Sequence, residues 1–341
     1  MDALASMSTG LLIVYLICAY HLWKLIRLAR ANADLHLLSK KQLAPQAFND
    51  QAVWIIGASQ GLGRELALQL SRSGARVVLS ARNEGKLQEV AELCREGAKH
   101  PAAVVPLDVT WPQDRIQGVA ERVCGRGPMD FIFYATGASQ RARVESADPS
   151  TAQQIMDINT LGAMRVASAA LPHMLQRAHG RFVIVSSMAA VVPAPGQSAY
   201  SAAKSGLNAY FETLATELSG RGVGVTICCP GPIAGQPGVD RAIYGPQGLV
   251  TASWPRSSSH MKPQAVAELI LRAAHHKVSL CWIAKHPVLL IAYINQYWPT
   301  LGRVIMQRIG PGRVESMEGK TGSGYDWMGF LRRATRASKT C

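Results

Sequence analysis

Residues 53–63 read VWIIGASQGLG. The quartet Val53-Trp54-Ile55-Ile56 has the length and apolar character of a buried strand. Glycines at 57, 61 and 63 follow at once, ahead of a helical pattern from Arg64 to Gly74. Glycines between a strand and a helix let the backbone turn tightly and approach a pyrophosphate at the helix N-terminus. The spacing is G-x-x-x-G-x-G, not the commoner G-x-G-x-x-G. The same residues also spell G-x-S-x-G through Gly57, Ser59 and Gly61, the nucleophile elbow of an α/β-hydrolase, which is likewise a strand-turn-helix. Two enzyme classes therefore compete for one loop.

Outward from it, apolar runs recur between helical patterns. They read as strands at Ala75 to Leu79, Ala103 to Leu107, Phe131 to Tyr134, Arg181 to Val185, Val223 to Cys228 and Val278 to Ile283. Continuous apolar strands alternating with helices mean a parallel sheet covered on both faces. The expected fold is α/β, a single Rossmann-type doubly wound parallel sheet over residues 51–285, preceded by an N-terminal transmembrane helix.

What lies downstream separates the two readings of the loop. A hydrolase needs an acid and then a histidine, and no histidine of the chain sits in such a context. A dinucleotide enzyme needs a ribose reader at the end of the second strand, where Ser80-Ala81-Arg82 stands. No carboxylate occupies that strand end, while Arg82 suits a 2′-phosphate, so the expected cofactor is NADP(H). Further on, Ser186 to Lys204 reads SSMAAVVPAPGQSAYSAAK. Tyr200 and Lys204 are four apart and share a helix face, so the lysine cation lowers the phenol pKa toward the range of a general acid/base.

Together these residues resemble the short-chain dehydrogenase/reductase family over about Ala52 to Ile283. The resemblance implies a cofactor loop at Gly57, Ser59, Gln60, Gly61, Leu62 and Gly63, with Ser80 and Arg82 at the adenosine ribose. It puts Asp108 and Val109 at the adenine and Gly137 on the loop after the central strand. Pro230, Gly231 and Ile233 would border the nicotinamide. It further implies a catalytic tetrad of Asn159, Ser187, Tyr200 and Lys204, of which Tyr200 and Lys204 also touch the cofactor. Ser186-Ser187, Leu171 to Met174, Cys229 to Pro232 and Gln296 to Thr300 narrow the likeness to a membrane-bound branch related to the 11β-hydroxysteroid dehydrogenase type 1 group, acting on steroids and retinoids. Three departures from the family pattern stand out: Ile56 for a threonine, Tyr134-Ala135-Thr136-Gly137 for N-N-A-G, and Gly235 for a threonine. The strand-end hydrogen bonds of the asparagines must be replaced or lost.

The chain carries 36 Lys and Arg against 22 Asp and Glu. The excess is spread out, without an aromatic-interleaved basic motif, so it reads as membrane-proximal charge and no nucleic acid is expected as partner. Seven cysteines without a C-x-x-C suggest neither a disulfide framework nor a metal site. Residues 1–30 form the expected anchor: no side chain from Ala3 to Trp23 is formally charged, enough for about 30 Å of hydrocarbon. The basic residues Lys24, Arg27, Arg30, Lys40 and Lys41 behind it place the catalytic domain in the cytosol; the expected membrane is that of the endoplasmic reticulum. Residues 31–50 read as a polar connector. Residues 286–310 read as an apolar helix, packed on the core or in a dimer, or resting on the membrane, broken at Trp298-Pro299. Residues 311–341 read as a loose basic tail. Ala234 to Pro263, with Gln236-Pro237-Gly238, Tyr244-Gly245-Pro246 and Trp254-Pro255, reads as a mobile substrate loop. Expected partners are a lipophilic small molecule, membrane lipid and a second copy in a homodimer. The expected activity is carbonyl reduction or alcohol oxidation. The alternatives are an isomerase, epimerase or dehydratase of the same fold, a nucleotide-binding membrane scaffold without turnover, and the hydrolase at Ser59.

Overall fold

The quartet at 53–56 lies in β1 (Ala52–Ile56), which is hydrogen-bonded in parallel on both sides, to β2 (Arg76–Ser80) and β4 (Phe131–Tyr134). A strand flanked twice and covered on both faces has no wet side, which is why it reads as an unbroken apolar run. The computed structural model describes residues 2–125, 127–235, 241–246, 248–252 and 260–317. Its main sheet has seven parallel strands in the order β10, β7, β6, β4, β1, β2, β3. The other members are the edge strands β3 (Ala103–Val104) and β10 (Leu280–Ile283) and the interior strands β6 (Gly180–Val185) and β7 (Val223–Pro230). Strand order reverses between β1 and β4, and in open sheets the crevice at such a switch point binds ligand.

Alternate side chains of the strands enter two cores. Trp54, Ile56, Ile132, Phe182 and Ile184 pack with α5 (Gln113–Cys124), α7 (Gly162–Gln176) and α8 (Ser198–Glu217). Val53, Ile55, Phe133 and Val183 pack with α3 (Gly61–Arg72), α4 (Glu84–Cys94) and α9 (Pro263–His275). The period of two along a strand divides them. β3 is shorter than its apolar run because Pro106 donates no hydrogen bond, although Val105 and Leu107 still bond Leu79 and Ala81.

Three stretches differ from their sequence reading. The supposed connector is part of the core: α2 (Leu35–Ser39) is capped by Asp34, Ala33 and Leu37 are buried, and Trp282 N donates to Asp34 Oδ2 at 2.6 Å. The expected mobile loop contains a hairpin, β8 (Arg241–Gly245) and β9 (Gly248–Ala252), which adds to β5 (Ser139–Gln140) as a second, small sheet. Gln236-Pro237-Gly238 and Trp254-Pro255 lie outside the described residues. Finally, the basic tail begins later than expected: helix continues from 311 to Met317, and residues 318–341 lie outside the described residues.

The apolar C-terminal segment forms α10 (Val288–Tyr297) and α11 (Pro299–Met317), and they meet at Trp298-Pro299, where the residue before a proline is pushed out of the helical region. Leu289, Ile291, Ala292, Met306 and Ile309 are buried against the domain, whereas Tyr297, Trp298 and Leu301 face outward. At the other end α1 (Asp2–Ala29) contains, at Gly10–Ala29, the one helix among the described residues long and apolar enough to cross a membrane. A ring nitrogen of His286 lies 2.6 Å from the Leu28 carbonyl oxygen, joining the end of α1 to the start of α10. Between β5 and α7, α6 (Pro149–Met156) completes the set of helices.

Candidate active site

A cavity of about 600 Å³ opens at the C-terminal ends of the strands, over the switch point. Gly57, Ser59, Gln60, Gly61 and Leu62 form one wall. Gly57 has φ +94°, and a Cβ there would lie 2.6 Å from Thr136 N. Gly63 stands behind the wall, where a Cβ would run into the Gly57 carbonyl, so only glycine lets α3 start this close to β1. Gln60 makes no side-chain cap, which leaves the first-turn amides of α3 and the positive helix end directed at the cavity. That is a cradle for a diphosphate, and it fits the dinucleotide reading. No histidine lines the cavity among the described residues, so the Ser59 elbow has no base beside it.

Arg82, Asn83 and Lys86 follow β2 along the same wall. Lys86 was not singled out from the sequence; its four-residue spacing from Arg82 across the start of α4 is the signal that marks it. Ser80 departs from its expected place. Its hydroxyl donates to Val105 O at 2.6 Å and accepts from Trp54 Nε1 at 2.9 Å, so it ties strands together inside the sheet. Asp108 and Val109 line the cavity, with Asp108 Oδ1 accepting from Thr110 N at 2.9 Å. Gly137, Pro230, Gly231 and Ile233 line it farther along.

One irregularity brings Asn159 beside Lys204. Between α6 and α7 the chain takes a π-helical turn, Asp157–Leu161, and this widened turn carries Asn159. Asn159 Nδ2 donates to Ala138 O and Ile155 O, both at 2.9 Å, while its Oδ1 is buried without a hydrogen-bond partner. A Cβ on Gly137 would stand 2.6 Å from that Oδ1 and 3.4 Å from Lys204 Nζ, so the two polar atoms flank the same small space. Thr160 Oγ1 donates to Ala203 O at 2.7 Å and docks the π-turn on α8 beside Lys204.

Lys204 is 3% exposed, donates to Val185 O at 3.0 Å and lies 5.9 Å from the Tyr200 ring centroid. Burial disfavours its cation and lowers its pKa to about 8. Ser187 follows β6 and caps the short turn Met188–Ala190, with Ala189 N donating to its Oγ at 3.1 Å. Ser186 is buried before it. Tyr134 compensates for the missing asparagines: its hydroxyl donates to Ile158 O at 2.5 Å and so holds the π-turn. Burial pushes this phenol far above its ordinary range, which fixes it as a donor.

The remaining walls are largely apolar. They comprise Val192, Pro193 and Ala194, Tyr244 and Leu249 of the hairpin, and Val288, Ile291, Met306 and Ile309 of α10 and α11. The sequence had not placed these C-terminal residues at the site, since a helical stripe does not say which cavity it faces.

Residues 51–240 match the short chain dehydrogenase family. Dehydrogenase/reductase SDR family member 7 of Mus musculus is 32% identical over 306 residues, covering 86% of this chain and 89% of the relative. Its Homo sapiens counterpart is 30% identical over 302 residues, with the same coverage of 86% and 89%. 11-beta-hydroxysteroid dehydrogenase 1A of Arabidopsis thaliana is 36% identical over 184 residues, 54% of this chain and 52% of the relative. Among solved structures, a short-chain dehydrogenase from Streptomyces avermitilis shares the fold, with a TM-score of 0.64 at 24% identity, covering 77% of this chain and 99% of its own. A metagenomic short-chain oxidoreductase in complex with NADP has a TM-score of 0.55 at 25% identity, covering 67% and 92%.

Proposed function

The chain belongs to the short-chain dehydrogenase family, and on that premise we propose that it is a membrane-anchored, NADP(H)-dependent oxidoreductase. It interconverts a carbonyl and an alcohol on a lipophilic substrate such as a steroid or retinoid. The observation that carries the reading is the buried pair Lys204 and Asn159 flanking the space at Gly137, with the partly buried Tyr200 ring 5.9 Å from Lys204 Nζ. A lysine is held inside the protein at a lowered pKa next to a phenol, a costly arrangement that a merely structural helix does not need.

Bound nicotinamide supplies the hydride donor or acceptor. The protein supplies the proton and the geometry. In the reducing direction Tyr200 Oη gives its proton to the substrate oxygen, and in the oxidising direction it takes one. The Lys204 ammonium stabilises the phenolate left behind. Ser187 Oγ donates a hydrogen bond to the reacting oxygen. Asn159 Oδ1 accepts from a water in the space it shares with Lys204, through which the spent proton is restored. Arg82, through its guanidinium fork, and Lys86, as a point charge, would hold the 2′-phosphate, and the first-turn amides of α3 would hold the diphosphate.

Residues 1–30 anchor the protein in the endoplasmic reticulum membrane, with the domain on the cytosolic side and in homodimeric form. The outward face of α10 and α11 rests on the bilayer, so that substrate partitions from lipid toward the cavity those helices line. Location in a membrane favours lipophilic carbonyl compounds. The test is NADPH absorbance against a panel of steroid, retinoid and quinone carbonyls. Substrate-dependent consumption is expected, with Tyr200→Phe reducing it by roughly 100-fold or more while NADPH still binds. Undiminished turnover in that variant, or NADPH binding without consumption on any carbonyl, overturns the reading; the second outcome would favour a nucleotide-binding scaffold.

A further inference from the structure

Three backbone carbonyls receive the polar side chains of the π-turn. Those of Ala138 and Ile155 accept from Asn159 Nδ2, both at 2.9 Å, and that of Ala203 accepts from Thr160 Oγ1 at 2.7 Å. They belong to three different parts of the chain: the residue before β5, the end of α6 and the first turns of α8. The side chains of these same three residues form one small buried cluster apart from the two main cores, and its fourth member is Tyr244 of β8. Ile158 of the π-turn and Tyr200 pack against it. The tyrosine ring is the largest apolar surface of the four, so its loss would leave the other three with the least to pack on.

Tyr244 is fixed from two sides. Its backbone pairs with Gln140 of β5, and its carbonyl accepts from Arg141 N at 2.8 Å. Gln140 Oε1 accepts in turn from Ala199 N at 2.9 Å, one residue before Tyr200. On the other side the Tyr244 hydroxyl donates to Gln154 Oε1 at 3.0 Å, Gln154 Nε2 donates to Ser150 Oγ at 3.1 Å, and Ser150 Oγ donates to Asp148 Oδ1 at 2.6 Å. The ionised carboxylate at the end of this chain only accepts, which sets the direction of every bond back to the phenol. Asp148 is the N-cap of α6, so the chain runs along the helix from its cap toward the turn that carries Asn159. The hairpin also faces the cavity, through Ile243, Tyr244 and Leu249.

Resting on the oxidoreductase reading of this site, we infer that Tyr244 is a positioning residue for Asn159. The hairpin seats Tyr244 in the cluster, the cluster keeps the three carbonyls in place, and the carbonyls hold the turn that sets Asn159 Oδ1 beside Lys204. The wall that the substrate touches and the group through which the Tyr200 proton is restored are thereby one packing unit. A hairpin that seats over a well-fitting substrate also brings the proton path into register, and a misplaced hairpin loosens it. Tyr244 acts on the rate through the position of Asn159 and takes no part in the hydride or proton transfer itself.

The test uses the full-length protein in detergent with NADPH and the best carbonyl of the steroid, retinoid and quinone panel. Tyr244→Ala should lower kcat by roughly tenfold or more, since small misplacements of a positioned group are that costly. The loss should run through Asn159: with Asn159→Ala already in place, Tyr244→Ala should lower kcat by less than about twofold, the non-additivity of residues acting as a unit. Tyr244→Phe keeps the ring in the cluster and should recover most of kcat. Leu249→Ala, on the same hairpin but outside the cluster, should act mainly on KM. Undiminished kcat in Tyr244→Ala, or a loss just as large in the Asn159→Ala background, overturns the inference. Thermal denaturation establishes that the variants are folded, and Tyr244→Leu replaces Tyr244→Ala if the latter is not. Hydrogen exchange read by mass spectrometry needs no turnover: residues 155–161 should exchange several-fold faster in the folded Tyr244 variant, and β1 should not. If no carbonyl consumes NADPH, the oxidoreductase reading fails, while faster exchange at 155–161 still shows that Tyr244 holds the turn. Unchanged exchange there overturns the inference whatever the turnover.

Discussion

At the scale of single residues, Lys204 carries most of the tension between stability and function. Its pKa is lowered from 10.5 to about 8 by burial. Because the folded value lies below the unfolded one, the group costs stability wherever it is protonated in both states, below about pH 8. The cost is relieved as pH rises from there to the unfolded value. The full cost is about 3 kcal/mol, offset in part by the bond to Val185 O, worth about 1 kcal/mol. Lys204→Met should therefore unfold at higher urea than the wild type at pH 7, its advantage should shrink between pH 8 and 10, and turnover should be lost. A variant less stable than the wild type by a pH-independent margin would contradict this. Arg82→Ala tests the other end of the site: NADPH affinity should fall by roughly tenfold or more while NADH affinity changes little, read by fluorescence titration. Tyr200, Lys204, Ser187 and the glycines could be singled out by residue type and spacing, and the structure brings Tyr200, Lys204, Ser187, Gly57 and Gly61 to one cavity. Ser80 was misread because a serine at a strand end looks the same whether its hydroxyl points to the cavity or, as here, between Trp54 and Val105.

Elements place those residues, and here sequence was a weaker guide. The parallel strands were legible from their apolar runs, but nothing in Asp157-Ile158-Asn159-Thr160-Leu161 announces a π-turn. The turn exists because three partners agree on it: Tyr134 on Ile158 O, Asn159 on Ala138 O and Ile155 O, and Thr160 on Ala203 O. The last bond is the one that registers the turn against α8. Thr160→Val keeps the shape and leaves a buried carbonyl without its donor, so chemical denaturation should show a loss of about 1–3 kcal/mol. If the turn registers Asn159 to Lys204, kcat should fall more than KM rises. A stability loss with unchanged kcat would make Thr160 a packing residue only. The hairpin β8–β9 was hidden for a related reason: its glycines and prolines read as a loose excursion, and only pairing of β8 with β5 fixes it as a sheet.

For the whole molecule, the question is where the apolar N-terminal helix ends and the folded domain begins. Hydropathy alone draws the line after residue 30 and treats 31–50 as a tether. The packing moves it: Ala31, Ala33 and Leu37 are buried, Asp34 caps α2 and accepts from Trp282 N, and Leu35 N donates to the Tyr293 hydroxyl at 3.2 Å. Those bonds join the segment to β10 and α10, and α10 lines the apolar part of the cavity, so the N-terminal helix is coupled to the cavity through the start of the domain. Two truncations separate the roles. Removing residues 1–29 should leave the melting temperature nearly unchanged and shift the protein out of the membrane fraction. Any membrane association that survives would fall to the outward face of α10 and α11, where Trp298 is 63% exposed and Leu301 50%. Removing residues 1–40 strips buried Leu37 and the Asp34 bonds as well. Loss of one buried leucine alone costs about 2–5 kcal/mol, so this shorter chain should melt markedly lower and lose turnover even in detergent. Equal melting temperatures for the two truncations would show that residues 31–40 are a tether after all.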